Sequence, residues 1–251
     1  MNTQCIILAG GWGSRLAPLT SPEHPKFKLK INGISLLQHT INRNAFLGIQ
    51  NIHIISAPPV YKAIEGHAAH IEEEARGTAS AINWIATRFN FTASDILIIV
   101  PADHMIHPTN PYQDALQTAA QYASEHPLLC LIGIKPTALI NKELGHFIAS
   151  QDMEARGTMI SEIWQVHEFV EKPDVFVLWT MPWYTFWNAG IFIASVATFH
   201  QLLDQYWDGK EPSFDRAVVT PAAKDGYIAA VELDCYWNDV GTFDRLRKEL
   251  F

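Results

Sequence analysis

The chain has 251 residues, 48% of them hydrophobic and 18% charged, enough to bury a full globular core. A formal net charge of −8 excludes a broad nucleic-acid or anionic-membrane surface but leaves room for a local cationic pocket. No stretch approaches the roughly 18 apolar residues of a membrane span, and Cys5, Cys130 and Cys235 are too scattered for a disulfide framework or metal knuckle. The N-terminus enters a strand-like run almost at once, so no secretory leader is expected and a cytoplasmic location follows.

The apolar run 5–9 predicts a buried first strand. It delivers Leu8 and Ala9 to Gly10-Gly11-Trp12-Gly13-Ser14-Arg15, a loop with three glycines in four positions. Such a loop brings backbone N–H groups close to phosphate oxygens, because no Cβ stands in the way. Arg15 adds a planar cationic fork, and Pro25-Lys26 adds a compact point charge. The loop matches neither the G-x-G-x-x-G dinucleotide fingerprint nor the Gly-Lys-Ser/Thr of a Walker loop. It reads as a holder of a nucleoside triphosphate; the plainer alternative is a tight turn with an arginine on its rim.

Leu37, Ile41 and Ala45 recur every four residues and predict a helix. Residues 51–56 read as a strand, and Pro58-Pro59 opens a short helix. Residues 78–89 form a helix with Ala81, Ile82, Ile85, Ala86 and Phe89 on one face. The aliphatic run 96–100 suits the centre of a parallel sheet, followed by a helix over 111–123 and a strand over 128–134. This rhythm implies an α/β fold, with a mainly parallel sheet flanked by helices. Residues 136–172 change to short strand-like pieces between polar turns such as 152–157, a small lobe beside the main sheet. A strand over 187–194, a helix over 195–206, a strand over 227–233 and a helix over 242–250 complete the chain. With no repeat or linker, residues 1–251 read as one domain, with the excursion at about 136–190.

Three constellations carry chemistry. Asp103, in Pro101-Ala102-Asp103-His104, follows the aliphatic strand, where ligands of open α/β sheets bind. It is a candidate Mg²⁺ ligand; the alternative is a turn aspartate capping the next segment. Asp239, in Trp237-Asn238-Asp239-Val240-Gly241-Thr242, offers a second carboxylate at a strand-to-helix junction; the equal alternative is a helix-leading residue that favours the dipole. In Glu171-Lys172-Pro173 and Trp187-Asn188-Ala189-Gly190, Lys172 can bind a phosphomonoester while Glu171 and Asn188 can hydrogen-bond vicinal hydroxyls; the alternative is a solvated Glu-Lys pair before a turn-forming proline and an asparagine in a bend. His67 and His70 lack a third ligand nearby, so a zinc site is not expected.

Together these motifs resemble the sugar-1-phosphate nucleotidyltransferases, and within them the mannose-1-phosphate guanylyltransferase group. The likeness runs through almost the whole chain. It rests on the opening loop with Pro25-Lys26, on Arg76-Gly77-Thr78-Ala79, and on the three constellations standing in the family's order. The resemblance implies a Rossmann-like nucleotidyltransferase fold with a small sugar-binding lobe. It also implies transfer of a nucleoside monophosphate, GMP from GTP, to a sugar 1-phosphate with release of pyrophosphate. Leu8, Ala9, Gly10, Gly11, Gly13, Ser14 and Arg15 would hold the nucleotide, with Arg76, Thr78 and Ala81 framing the nucleoside. Arg15, Lys26 and Asp103 would act at the transferring phosphoryl group, and Asp103 and Asp239 would hold Mg²⁺, with Mn²⁺ as a substitute. Gly145, Glu171, Lys172, Asn188 and Gly190 would hold the sugar phosphate.

The expected partners are GTP or another NTP and a sugar 1-phosphate, with no nucleic acid and no membrane; a homodimer is left open. The chain departs from the family at Trp12, Ser14, Phe27, Ser80 and Thr220, and no additional C-terminal domain is expected after Phe251. Leu144 and His146 stand where two tyrosines usually line the sugar, so weak or relaxed use of mannose 1-phosphate is expected. Rival readings are a cofactor-type guanylyltransferase and a catalytically silent nucleotide-sugar sensor.

Overall fold

The structure is a computed structural model, and it describes residues 1–64, 69–72, 76–137, 141–151, 163–174 and 184–250. In chain order the described strands are β1 (Thr3–Leu8), β2 (Lys30–Ile31), β3 (Ile34–Ser35), β4 (Ile52–Ser56), β5 (Ala69–Ile71), β6 (Ile96–Pro101) and β7 (Met105–His107). They continue as β8 (Leu129–Ile134), β9 (His146–Gln151), β10 (Ile163–Val170), β11 (Thr185–Ser195), β12 (Ile228–Glu232) and β13 (Tyr236–Asn238). The described α-helices are α1 (Leu36–Asn44), α2 (Thr78–Arg88), α3 (Thr109–Glu125), α4 (Val196–Tyr206), α5 (Thr220–Lys224) and α6 (Phe243–Leu250). The fold is α/β and Rossmann-like, and among the described residues no helix is long and apolar enough to cross a membrane.

The chain divides into two compact units. The first comprises Thr3–Ala75, Ile99–Gln113 and Cys235–Phe251. Its centre is parallel, with β4 paired to β1 on one side and to β5 on the other. Cys5, Ile6 and Ile7 are fully buried, as the uncharged run predicts. The amide of Ala102 donates to the carbonyl of Leu8 at 3.1 Å, so the turn after β6 and the glycine loop after β1 leave the sheet side by side. Helix α1 starts at Ser35, whose hydroxyl accepts from the Gln38 amide, a standard N-cap. Its buried Arg43 donates to the carbonyl of His104 at 2.9 Å and lies over the Tyr112 ring. A small core of Leu16, Ile31, Leu36, Met105, Val240 and Leu246 ties together the glycine loop, α1, β7 and α6.

The second unit comprises Met1–Asn2, Arg76–Ile98 and Asp114–Asp234. Here β12 runs parallel to β8, whereas β11–β8, β10–β12, β10–β9 and β11–β9 are antiparallel. The expectation of a mainly parallel sheet therefore holds in the first unit, while this sheet is mixed. Its pairings run β11-β8-β12-β10-β9 and return from β9 to β11, enclosing the stacked rings of Phe147 and Phe186. The short strand pieces expected after Lys135 are β9 and β10, and both are members of this sheet. Helix α2 packs on α4, where His200 Nε2 sits 2.9 Å from the Ala86 carbonyl.

Two sequence expectations need adjustment. The short helix expected after Pro58-Pro59 is, among the described residues, a single 3-10 turn, Tyr61–Ala63. The predicted 111–123 helix spans Thr109–Glu125, with Pro111 in its first turn, where a missing N–H costs nothing. The turn at 152–157 lies outside the described residues, as do parts of the 136–190 excursion.

Candidate active site

In the first unit, the glycine loop and the two candidate metal carboxylates converge for local reasons. Gly13 has φ +82, and a Cβ there would lie 2.7 Å from Lys26 Cβ. Only glycine meets both demands, and the loop thereby packs directly on Lys26. Two bonds fix this contact: the Lys26 amide donates to Trp12 O at 3.0 Å, and the Thr20 hydroxyl donates to Gly13 O at 2.7 Å. Strands β7 and β13 pair antiparallel, with Met105 opposite Asn238. Asp103, before β7, and Asp239, after β13, therefore emerge at the same end, although they stand 136 positions apart in sequence.

Lys26 bridges the two aspartates. Its Nζ lies 2.6 Å from Asp103 Oδ2 and donates to the Asp239 backbone carbonyl at 3.0 Å. Arg245 forms a short ion pair with Asp239 Oδ1. Burial raises the Asp103 carboxyl, but the charge and hydrogen bond of Lys26, joined by His104 only where acid protonates it, prevail and hold it below the usual range. His104 beside it is neutral: burial pushes it down to about 4, against the pull of Asp103 and Asp239. Its Nδ1 accepts from Trp237 Nε1 at 3.3 Å, and Arg43 holds its carbonyl. Arg15 is exposed on the loop's rim, and Ser14 lies in the adjoining 3-10 turn.

The same unit presents one feature that sequence reasoning did not assign. At the carboxyl edge of its parallel strands the chain runs close on itself. The Ala9 amide donates to Ile55 O, the Ser56 hydroxyl to Ala9 O, and the Glu72 amide to Ser56 O at 3.0 Å. Glu72 Oε1 lies 3.5 Å from where a Gly10 Cβ would stand, and Glu72 Oε2 is buried without a hydrogen-bond partner among the described residues. Burial pushes this carboxyl up to about 7. Its place in a charged run, Glu72-Glu73-Glu74, hid it: such a run reads as a solvated face.

Among the described residues no cluster of three or more His, Cys, Asp or Glu can hold a metal. Asp103 and Asp239 offer two hard carboxylate donors, the first paired with Lys26 and the second with Arg245. That set suits Mg²⁺, which takes one or two protein carboxylates and fills its octahedron with phosphate oxygens and water.

In the second unit, Glu171, Lys172, Gly145 and Asn188 gather at the end of β10. Lys172 Nζ pairs with Glu171 Oε1 at 2.9 Å, and Lys172 has φ +51, a left-handed turn before Pro173. A Cβ on Gly145 would lie 2.8 Å from Glu171 Oε2 and 2.7 Å from the Phe169 ring, so glycine lets this backbone reach the carboxylate. The Asn188 amide donates to Gly145 O at 2.8 Å, and its side-chain Oδ1 accepts from the Gly190 amide at 3.0 Å. Asn188 Nδ2 donates to Asp215 Oδ1 at 2.8 Å. Asp215, at the start of a π-helical turn, is a second residue that sequence reasoning left aside. Burial and the nearby charge of Glu171 push its carboxyl up to about 7.

Leu144 is buried, and His146 is held neutral, chiefly by burial, against the Leu144 carbonyl and Glu171. Its Nδ1 donates to Leu144 O at 3.0 Å. His146 sits opposite Trp187, one step out of phase with Phe147, Phe186 and Asn188, so the pleat turns its ring to the other face of the sheet.

The Arg76–Ala81 segment also belongs to the second unit. A Cβ on Gly77, at φ +100, would lie 2.4 Å from Pro212 O. The Thr78 hydroxyl accepts from the Phe214 amide at 2.9 Å and faces Pro212 O at 3.4 Å, while Ala81 is buried. Thr78 thus anchors the start of α2, and Arg76 is exposed. Of the histidine pair, His70 lies 5.8 Å from the His53 ring, and His67 is outside the described residues.

A glycine loop with Asp103 beside it, at the carboxyl edge of parallel strands, is where open α/β folds bind their ligands. The chain belongs to the nucleotidyl transferase family, whose model matches residues 4–250. It is similar to a mannose-1-phosphate guanylyltransferase of Escherichia coli, 27% identical, over 96% of this chain and 60% of the relative. A mannose-1-phosphate guanylyltransferase of Salmonella muenchen is 33% identical over 79% of this chain and 43% of its own. The chain spans about three fifths of the length of the first curated relatives it matches, 57–60%. The fold is shared with a solved structure from Thermus thermophilus described as mannose-1-phosphate geranyltransferase. Its TM-score is 0.84 at 24% identity, covering 99% of this chain and 79% of that one.

Proposed function

We propose that this chain transfers GMP from GTP to a sugar 1-phosphate, yielding a nucleoside-diphosphate sugar and pyrophosphate. An oxygen of the sugar phosphate forms the new bond to the α-phosphorus in line, and the bond from that phosphorus to the β-phosphate bridging oxygen breaks. Pyrophosphate leaves with the bonding pair. No protein nucleophile is required, because positioning and charge neutralisation carry such transfers. The observation that supports this most is Lys26, packed on the glycine loop with its ammonium between Asp103 and the Asp239 carbonyl. Relatives described as guanylyltransferases support the choice of GTP, and their acceptor supports mannose 1-phosphate or a sugar-like analogue.

In this reading the loop amides and Arg15 bind the triphosphate. Lys26 meets the charge that develops on the transferring phosphoryl group. Asp103 and Asp239 hold Mg²⁺, or Mn²⁺ in its place, which when bound offsets phosphate charge and aligns its oxygens. Lys172 takes the sugar phosphate. Glu171, Asn188 and Asp215 offer acceptors and a donor to the sugar hydroxyls, and Gly145 lets backbone approach them. Such a reaction belongs in the cytoplasm, where nucleoside triphosphates are supplied. The test is pyrophosphate release across four NTPs and a panel of hexose, heptose and cyclitol 1-phosphates. Product from GTP and a sugar 1-phosphate supports the reading; release from no pair sinks it.

A further inference from the structure

We infer that His104 is a positioning residue for the candidate metal carboxylates: Trp237 holds its ring in the tautomer that carries the proton on Nε2, and that proton is aimed at Asp103. The inference rests on the reading of Asp103 and Asp239 as metal ligands and adds the side chains that set their geometry.

The place of the ring proton follows from the partners. An indole N–H only donates, so the His104 Nδ1 that receives Trp237 Nε1 at 3.3 Å presents a lone pair. The single proton of the neutral imidazole is then left on Nε2. That nitrogen lies 3.8 Å from Asp103 Oδ1, longer than a formed hydrogen bond and directed at that oxygen. The other oxygen, Oδ2, takes the Lys26 ammonium. Asp103 is thus addressed on both oxygens, by an ammonium and by an N–H dipole, which restrains rotation of the carboxylate.

The ring is held from three sides. It is buried, and Arg43 fixes the His104 carbonyl at 2.9 Å while its second amine donates to Thr40 Oγ1 at 2.8 Å. The indole meets the imidazole edge-on, with centroids 5.3 Å apart and planes at 82°. A half-turn of the imidazole would put carbon in both nitrogen positions and forfeit the indole bond. Trp237 itself stands in β13 opposite Ile106 of β7, two positions before Asp239. One indole–imidazole bond therefore braces the turn that carries Asp103 against the strand that leads to Asp239. Partners of this kind orient metal-ligating side chains, and losing one costs about 10- to 100-fold in metal affinity or activity.

The experiment has two arms. In the metal-free wild type, nitrogen–proton correlation NMR of the imidazole should find Nε2 protonated and Nδ1 bare. Trp237→Phe, which keeps an aromatic ring but no N–H, should let the proton redistribute to Nδ1. A wild-type proton on Nδ1 overturns the inference, whatever the metal does. The second arm measures Kd for Mn²⁺ at saturating GTP, with kcat and melting curves, in His104→Asn and His104→Gln. Asparagine sets its amide near the Nδ1 position and leaves Asp103 unaddressed, whereas glutamine reaches the Nε2 position and donates there. His104→Asn should weaken Mn²⁺ binding by about 10- to 100-fold and lower kcat with it, at unchanged KM for the sugar phosphate. His104→Gln should stay within a few-fold of the wild type. Wild-type Mn²⁺ affinity in a folded His104→Asn, or an equal loss in both variants, marks a merely structural role and overturns the inference while the metal reading stands. A wild type that binds no Mn²⁺ with nucleotide removes the metal reading and this inference together. If His104→Asn does not fold, the wild-type ring proton and the Mn²⁺ affinity of Trp237→Phe, expected to fall, decide.

Discussion

Lys26→Ala is the perturbation that reaches furthest. It removes the cation 2.6 Å from Asp103 and the donor to the Asp239 carbonyl together. At an effective dielectric near 20, two charges at that separation attract by roughly 6 kcal/mol before desolvation is subtracted. Asp103 retains some solvent access, 27% at the side chain, so water recovers part of this. A net stability loss of about 1–3 kcal/mol is expected, below the roughly 3–5 kcal/mol of a fully buried broken pair. The catalytic effect is larger: loss of a preorganised positive group at the reacting phosphorus should lower kcat by about 10²–10³ for every acceptor.

The pH dependence separates the two effects. In the wild type Asp103 titrates below its unfolded value, so its contribution is present above about pH 4 and lost as pH falls through the lower folded value. Without Lys26, burial remains and its chief counter-charge is gone. The folded value rises, and the acid limb of activity moves to higher pH. Initial rates of pyrophosphate release at saturating substrates between about pH 3 and 9, with parallel melting curves, measure both. Wild-type kcat and an unmoved acid limb in a folded variant would refute the placement of Lys26.

Asp103→Asn and Asp239→Asn should each weaken Mn²⁺ binding measured in the presence of nucleotide, and lower turnover by about 10²–10³; unchanged Mn²⁺ affinity in both would remove the metal assignment. Lys172→Ala should raise KM for the sugar phosphate about tenfold, the scale of a charge-assisted contact, with little change for the NTP; the opposite split would reverse the division of roles. Asp215, raised to about 7, binds more protons folded than unfolded between about pH 4 and 7, so it costs stability as pH rises through that window. Asp215→Asn should therefore gain melting temperature over the wild type more at about pH 8 than at about pH 5, and a constant difference would contradict the burial of that carboxyl.

Much of this was legible in the residues, because local rules govern it. The uncharged 5–9 run, the four-residue spacing in α1 and the aliphatic run before Asp103 each yield an element through periodicity alone. What the chain hides is long-range pairing. That Asp103 and Asp239 share one end follows from β7 lying against β13, two three-residue strands with no alternation to reveal them. The return of β9 to β11 turns an expected excursion into part of a sheet, again through contacts far apart in sequence. Glu72 and Asp215 escaped for a related reason: a carboxylate's importance here depends on burial. His146 shows the converse, since its neighbour Gly145 stands against Glu171 while the pleat turns the histidine ring to the other face of the sheet.

The measurement that bears most directly on the central claim is release of pyrophosphate by the wild-type chain, given GTP, Mg²⁺ and mannose 1-phosphate or its analogues, with the sugar nucleotide followed by mass. The account predicts equal amounts of pyrophosphate and a GDP-sugar, with no orthophosphate and no covalent nucleotidyl-protein. Binding of GTP and sugar phosphate without pyrophosphate, in a folded chain supplied with metal, would contradict it.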